Sequence, residues 1–597
     1  MDKSFYENEI AVVRQSLARA TRYNNRFVLG RTVVFVLLVL SLAAVYDGHG
    51  YLLWAALCLG AAFVALVRFH ELGKRQAMLL SSRLEVLEDC LARFGTEWKD
   101  FSQDGSLYLK RKRPQDTDLN IFGVSSLYQY LCRARTKGGR DYLAECLTPQ
   151  PPPVQIIRQR QKAVKELLAH PRLCLDLEAL GRLLPDGHDT APLVQSVEEG
   201  QVAPSRLLAA VAWLLPLITI AAVGLAAADL VAWTAVLFLP LLQLTLAILF
   251  NSRNNEILSP LDRMQQELRL YGHIFSRLEE ASFTGSHLRS LQNNLHTDPP
   301  AAGSLKRLAY LATCANMRRN LSFFLLGNAL LLWDFHCAAY FVRWQYDTAR
   351  HLRTWLNTWS EVEALLSLAT VGETRASCFP EILESSTPRI NGQELTSLLI
   401  PAAKAVPNDV HLRPETNIIT GSNMSGKTTW LRTIATNVIL AYAGAPVCAK
   451  SLALTRFALF TSMRVNDDLG EGLSTFYAEL LRIKEMVEYS RQKEPMLICI
   501  DEIFKGTNSA DRIIGAKEAI LRLTAPWIIL LVTTHDFELC EITTPAGNPV
   551  KNGHFEEYYR DNKIYFDFKL KEGRCHTTNA QYLLRMAGIM VDMEKQV

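Results

Sequence analysis

The chain has 597 residues and a mass of 67.1 kDa, too long for one ordinary core and enough for roughly three or four domains of about 150 residues each. Hydrophobic residues make up 49% and charged residues 21%, which excludes a disordered or fibrous chain. With 64 basic against 60 acidic residues the formal net charge is +4, too small for a global nucleic-acid footprint, although a local basic patch is not excluded.

Met1 is followed closely by Asp, Lys and Glu, and the first apolar run starts only after Arg31, so no cleavable signal peptide is expected. Residues 1–30 read as an N-terminal unit built on a short amphipathic helix over 4–22. Residues 31–68 hold two uncharged runs, 32–46 and 51–67, around the turn Asp47-Gly48-His49-Gly50. They read as a first transmembrane hairpin, short for full spanning. Residues 69–205 open on a long helix over 69–96, with Leu84, Leu87, Leu91 and Phe94 at helical spacing, and continue into an all-α core segment broken by Pro149, Pro151, Pro152 and Pro153. Residues 206–252 form a second transmembrane hairpin, with uncharged runs 207–228 and 230–252 interrupted by Asp229. Both runs reach the roughly 20 residues that a spanning helix needs.

The basic flanks Arg22, Arg26, Arg31, Arg68, Lys74, Arg75, Arg206 and Arg253 fall on one side of both hairpins, and the two turns carry no Lys or Arg. The positive-inside rule then predicts a multi-pass protein of a bacterial inner membrane, with both termini cytoplasmic. Residues 253–375 read as helical. Within them, 321–333 are apolar but too short to span, and Asp334 and His336 follow at once, so a buried soluble helix is expected there. A Pro-bearing connector, 379–407, opens the last unit, 376–597. The twelve cysteines stand singly with no CxxC, which points to reduced thiols rather than a disulfide framework or zinc site.

The chemistry-bearing motifs lie in the last unit. Gly421-Ser422-Asn423-Met424-Ser425-Gly426-Lys427-Thr428 fits GxxxxGK[ST] between a β-branched strand, 416–420, and a helix from Trp430, with Thr429 between them. In this context glycines let backbone N–H groups curl around phosphate, Lys427 reaches the β- and γ-phosphates of ATP, and Thr428 ligates Mg²⁺. Four apolar residues before Asp501-Glu502 form a Walker B strand. Asp501 is expected beside Mg²⁺ and Glu502 as the general base on water. The strand 527–534 ends at His535, expected to sense the γ-phosphate. Ser474 is expected to cap the helix through 477–489, where a hydroxyl and free N–H groups bind anions. Lys110-Arg111-Lys112-Arg113 is the densest basic run, read as a solvated face or a contact with anionic lipid. Arg133, Arg135, Lys137 and Arg140 add charge nearby.

Together, TGSNMSGKTT at 420–429, DDLGEGLSTFYAEL at 467–480, LICIDEIFKGTN at 497–508 and TTHDFEL at 533–539 resemble the MutS family of mismatch-repair ATPases. Asn552-Gly553-His554-Phe555 and the stretch from Gly573 through Tyr582 to Ala587-Gly588-Ile589 look like the closing motifs of that family. Residues 127–147, 157–167 and 321–370 resemble its helical core more weakly. The resemblance implies an α/β ABC-type P-loop ATPase domain at the C-terminus, preceded by an all-α core and lever domain and the two hairpins. It also implies a homodimer in which Ser474 acts in trans on the partner's nucleotide. The chain departs from the family in lacking room for the mismatch-reading domain and the DNA clamp. The expected function is therefore a membrane-anchored ATPase coupled to DNA binding near the bilayer. The alternatives are an ATP-driven switch on a protein or membrane partner, and, weakest, a transporter.

Overall fold

The structure, a computed structural model, describes residues 3–111, 113–199, 206–261, 264–464, 475–504, 509–544, 550–560 and 563–575. Up to residue 374 these are helical, and an α/β unit follows.

Helix α1, Lys3–Tyr46, and helix α2, Leu53–Ala92, pack antiparallel. Arg14 reaches Glu88 at 2.7 Å near one end, and Phe27 stacks on Phe69 in the middle. The separate helix expected over 4–22 is instead the first half of α1. No proline interrupts the chain there, and Gly30 alone costs a helix only about 1 kcal/mol. The helix expected over 69–96 is likewise continuous with the apolar run before it and ends at Ala92, short of Gly95.

Among the described residues six α-helices follow before the next apolar pair: α3 (Pro114–Asp118), α4 (Leu127–Leu131), α5 (Lys137–Cys146), α6 (Val154–Ala169), α7 (Pro171–Arg182) and α8 (Ala191–Glu199). Local chemistry fixes their starts. Ser126 and Thr136 accept hydrogen bonds from Gln129 N and Gly139 N at 3.1 Å each, and Pro occupies the first turn of α3 and α7. The apolar pair is α9 (Arg206–Ala227) and α10 (Trp233–Leu249), which pack together. Helices α11 (Asn251–Leu258), α12 (Gln265–Glu280), α13 (Ser286–Leu295) and α14 (Ala301–Met317) lead to α15 (Leu321–Leu331) and the 42-residue α16 (Trp333–Thr374).

By length and composition, Lys3–Tyr46, Gly50–Ala92 and Ala210–Ala227 are long and apolar enough to cross a membrane among the described residues. The expectation of a buried helix at 321–333 fails. Leu321, Leu326 and Leu330 of α15 are 70%, 64% and 50% exposed, and only Gly327 and Asn328 of this helix are buried.

Helix α16 runs through the helical core, burying Trp355 and Trp359 against α5, α6 and α8. Near its end Glu373 meets the buried Arg133 at 2.8 Å, and Arg133 also pairs with Glu178. Tyr6 of α1 donates its hydroxyl to Glu373 at 3.1 Å, so one polar cluster ties the first helix to the last. The other basic residues of this segment are also engaged. Arg135 and Arg140 pair with Asp186, and Lys137 with Asp189. The four positive charges noted in the sequence are therefore each paired with a carboxylate. Lys112 lies outside the described residues, and Arg113 pairs with Asp116 at 3.0 Å.

Among the described residues the α/β unit has twelve strands: β1 (Glu381–Leu383), β2 (Ile390–Leu395), β3 (Asn408–Leu412), β4 (Thr416–Thr420), β5 (Ser451–Thr455), β6 (Ala458–Ser462), β7 (Met496–Asp501), β8 (Ile528–Thr533), β9 (Val550–His554), β10 (Glu557–Arg560), β11 (Lys563–Phe566) and β12 (Lys571–Glu572). The main sheet has the order β12-β9-β4-β8-β7-β6, parallel from β9 to β6, with β12 antiparallel at the edge. Strands β7 and β8 are buried along their whole length, as continuous apolar runs in a covered parallel sheet should be. Helices α17 (Lys427–Ala443), α18 (Thr475–Ser490) and α19 (Ser509–Leu523) complete the unit among the described residues. A smaller sheet, β1-β5-β2-β3, and the β10–β11 hairpin flank it.

The helical part grips the main sheet through α3. Asp118, fully buried, accepts hydrogen bonds from Thr461 Oγ1 at 2.7 Å, Met463 N at 3.1 Å and Arg464 N at 2.9 Å, and pairs with Arg482 of α18 at 3.1 Å.

Candidate nucleotide-binding site

Because β4, β7 and β8 are parallel neighbours, the residues at their carboxyl ends converge, the usual place for a ligand in an open α/β sheet. After β4 the chain turns through Gly421 at φ +146° and Gly426 at φ +111° into α17. A Cβ on Gly421 would meet Phe555 O at 2.7 Å, so this turn requires glycine. Lys427 Nζ donates to the carbonyls of Gly421 and Ser422 at 2.8 Å each, which curls the loop around the ammonium. Asn423 and Met424 form the tip, with Met424 in a left-handed conformation at φ +68°. Ser425 is fully buried, and its hydroxyl has no hydrogen-bond partner in the structure. Thr428 and Thr429 lie in the first turn of α17.

At the end of β7, Asp501 accepts from Thr428 Oγ1 at 2.8 Å and from Thr533 Oγ1 at 2.6 Å. Glu502 follows with φ +54°. Its backbone N donates to Thr533 Oγ1 at 3.0 Å, and this turn aims the carboxylate toward the loop. At the end of β8, His535 Nε2 lies 3.0 Å from Asn423 Oδ1, 3.3 Å from Glu502 Oε1 and 3.4 Å from Lys427 Nζ. Two of those neighbours are acceptors, which favours the tautomer with the proton on Nε2. Asp536 holds Arg512 of α19 through two contacts, at 2.9 and 2.7 Å.

The structure thus brings Lys427, Thr428, Asp501, Glu502 and His535 into one cluster. Ser474 and Lys505-Gly506-Thr507-Asn508 lie outside the described residues, as do the closing-motif positions Tyr582, Ala587, Gly588 and Ile589. Two participants were not singled out from the sequence, while Asn423, read there as part of the phosphate loop, also meets the histidine. Thr533, within the quoted motif at 533–539, donates its hydroxyl to Asp501 and accepts from the backbone N of Glu502. Glu557, a buried carboxylate at the start of β10, accepts from Ser422 Oγ. Glu557 belongs to no spacing pattern, so only the fold reveals it.

The donor set suits Mg²⁺ bound with a triphosphate. No group of three or more His, Cys, Asp or Glu side chains able to hold a metal occurs among the described residues. A threonine hydroxyl beside a single carboxylate is the protein share that Mg²⁺ takes when phosphate oxygens and waters fill the other positions. The orphaned Ser425 hydroxyl and the free N–H groups at the start of α17 fit phosphate oxygen.

Comparison with known proteins agrees with this geometry. Residues 417–594 match MutS domain V. The chain is 30% identical over 269 residues to the "DNA mismatch repair protein MutS" of Streptococcus equi subsp. equi (strain 4047), which covers 42% of this chain and 31% of that protein. It is 33% identical over 243 residues to the protein of the same name from Geobacillus sp. (strain WCH70), covering 40% of this chain and 28% of the relative. For Streptococcus uberis (strain ATCC BAA-854 / 0140J) the figures are 31% over 244 residues, 40% and 28%. The chain therefore spans less than a third of the length of these relatives. The C-terminal part of the chain thus carries a MutS domain V, and over that part the chain is similar to MutS proteins.

Proposed function

We propose that the chain is a membrane-anchored, Mg²⁺-dependent ATPase of MutS type, which couples ATP binding and hydrolysis in a homodimer to DNA binding or sensing near the bilayer. The observation that carries the ATPase reading is the convergence of Lys427, Thr428, Asp501, Glu502 and His535 at three adjacent strand ends. In this reading the loop 421–429 cradles the phosphates, and Lys427 exchanges its two carbonyl partners for phosphate oxygens. Thr428 and Asp501 hold Mg²⁺, which supplies neutralising charge to the phosphates. Glu502 takes a proton from the attacking water, and His535 contacts the γ-phosphate while fixing the carboxylate. Ser474 of a second chain closes the site. The ABC-type classification belongs to the same reading.

The membrane part of the proposal rests on the long apolar faces of α1, α2, α9 and α10. They are read as two hairpins of an inner-membrane protein with the ATPase in the cytoplasm. The unit boundaries proposed are 1–30, 31–68, 69–205, 206–252, 253–375 and 376–597. A second reading, an ATP-driven switch on a protein or membrane partner without DNA, gains from one observation. Arg133, Arg135, Lys137 and Arg140 are all paired with carboxylates, and Arg133 is buried. The ATPase rate of the full chain in detergent, with and without homoduplex, mismatched or branched DNA at two salt concentrations, separates the two. Salt-sensitive stimulation by DNA supports the first reading, and a DNA-independent rate supports the second.

A further inference from the structure

We infer that α15 is a membrane-surface helix, lying in the plane of the bilayer with its leucine face among the upper acyl chains, and not a membrane span. The inference rests on the reading of α9 and α10 as spanning helices.

Three observations carry it. The first is composition and exposure. Leu321–Leu331 contains no charged residue, and its exposed positions are Leu321, Leu325, Leu326, Leu330 and Leu331, with the single hydroxyl of Ser322. Five leucines without an aromatic or arginine anchor are poor material for a protein hot spot and good material for lipid. The neighbouring α9 also exposes Trp213, which meets His336 at the start of α16 at 4.7 Å between ring centres.

The second observation is where the two ends lie. Arg318, three residues before α15, donates to Asn251 Oδ1 at 3.2 Å, just past the end of α10. Leu332, immediately after α15, is buried with Phe335 against Ala212 and Ala247. Ala212 lies in the second turn of α9 and Ala247 in the last turn of α10. Both ends of α15 therefore sit beside the same ends of the apolar pair. A crossing helix would place them at opposite ends. With 11 residues, α15 is only about 16 Å long, half the ~30 Å hydrocarbon thickness.

The third observation is how the ends are closed. Asn320 Oδ1 accepts from Ser322 N at 3.0 Å and Phe323 N at 3.3 Å, while Asn328 Oδ1 accepts from Asp334 N at 3.0 Å. Leu332, at φ 48°, turns the chain by 82° into α16, and Trp333 Nε1 donates back to Cys314 O at 2.9 Å. Side chains of this protein thus satisfy backbone donors that water would otherwise meet, as a site at the edge of hydrocarbon requires. Arg318 and Asp334, which flank the helix in sequence, pair with each other at 3.6 Å, so the two ends of the segment are tied together.

The test uses the full chain in phosphatidylethanolamine–phosphatidylglycerol vesicles with one of two diazirine lipids. One carries the photoreactive group near the headgroup and the other at the acyl terminus. After illumination, adducts are mapped by peptide mass spectrometry. The expected pattern is shallow-probe label on Leu321–Leu331, with deep-probe label on the middle of α9 and α10, around Ile220 and Phe238, and none on α15. Deep-probe label on α15 overturns the in-plane placement. Absence of both labels on α15, with α9 and α10 labelled, means that protein covers the leucine face and overturns only this inference. Absence of label from α1, α2, α9 and α10 overturns the membrane reading and this inference with it.

Discussion

Replacing Asp118 by asparagine tests how the helical part holds the sheet. Asp118 Oδ2 accepts from Thr461 Oγ1 and Met463 N, and Oδ1 accepts from Arg464 N. An amide offers one oxygen, so at least one of these buried donors faces an NH₂ group and goes unmet, at about 1–3 kcal/mol. The charge that pairs with Arg482 is lost as well. Breaking a fully buried pair costs about 3–5 kcal/mol, but the Arg482 side chain is 20% exposed and recovers part of its hydration, so about 1–2 kcal/mol is the better figure. The total is about 2–5 kcal/mol. For a unit of the size of the α/β part this corresponds to a fall of roughly 10 °C in the midpoint of heat inactivation. The assay is residual ATP hydrolysis after incubation at graded temperatures, with Gln115→Ala as a control that removes one hydrogen bond to Leu459 O. If the Asn variant matches the parent to within about 2 °C, about a fifth of that estimate, the four-donor clamp does not hold the two parts together.

Four further outcomes follow from the site and the helical core. Glu502→Gln should keep nucleotide binding and lower hydrolysis by about 10²–10⁴-fold, read by single-turnover kinetics. Thr533→Val removes the 2.6 Å bond to Asp501 and a partner of Glu502 N, and should weaken Mg²⁺ by roughly 10–100-fold in a metal titration of the ATPase rate. Arg133→Met strands the buried carboxylates of Glu178 and Glu373, and should cost about 3–5 kcal/mol, seen as a lower thermal midpoint. Burial pushes the Glu363 carboxyl up to about 7, against hydrogen bonds from Thr136 and Arg135. Because its folded value is raised, its stabilising contribution is full below about pH 4.5 and is lost as pH rises through 7, about 3 kcal/mol in all. Glu363→Gln should remove that slope, so its thermal midpoint should gain on the parent from pH 5 to about pH 7 and level off above it.

The nucleotide-site residues were legible because their constraints are local. A glycine loop between a β-branched strand and a helix, and an apolar run ending in Asp501-Glu502, each carry their geometry in adjacent positions. What stayed hidden depends on distant partners. Arg133, Arg135, Lys137 and Arg140 read as a basic cluster because Glu178, Asp186, Asp189 and Glu373 lie far along the chain. Asp118 meets β6 across more than 340 residues and leaves no periodic trace. The apolar run at 321–333 was misread for another reason. A helix facing protein and one facing an apolar solvent have the same composition, and only packing distinguishes them. The length of α1 escaped because charge changes along it while helix propensity does not.

The most direct test of the central claim is steady-state ATP hydrolysis by the full chain in lipid vesicles, with Mg²⁺ and with EDTA, for the parent, Lys427→Ala and Glu502→Gln. The account predicts Mg²⁺-dependent turnover in the parent, no nucleotide binding in Lys427→Ala, and binding without turnover in Glu502→Gln. Equal Mg²⁺-dependent turnover in all three proteins would contradict it.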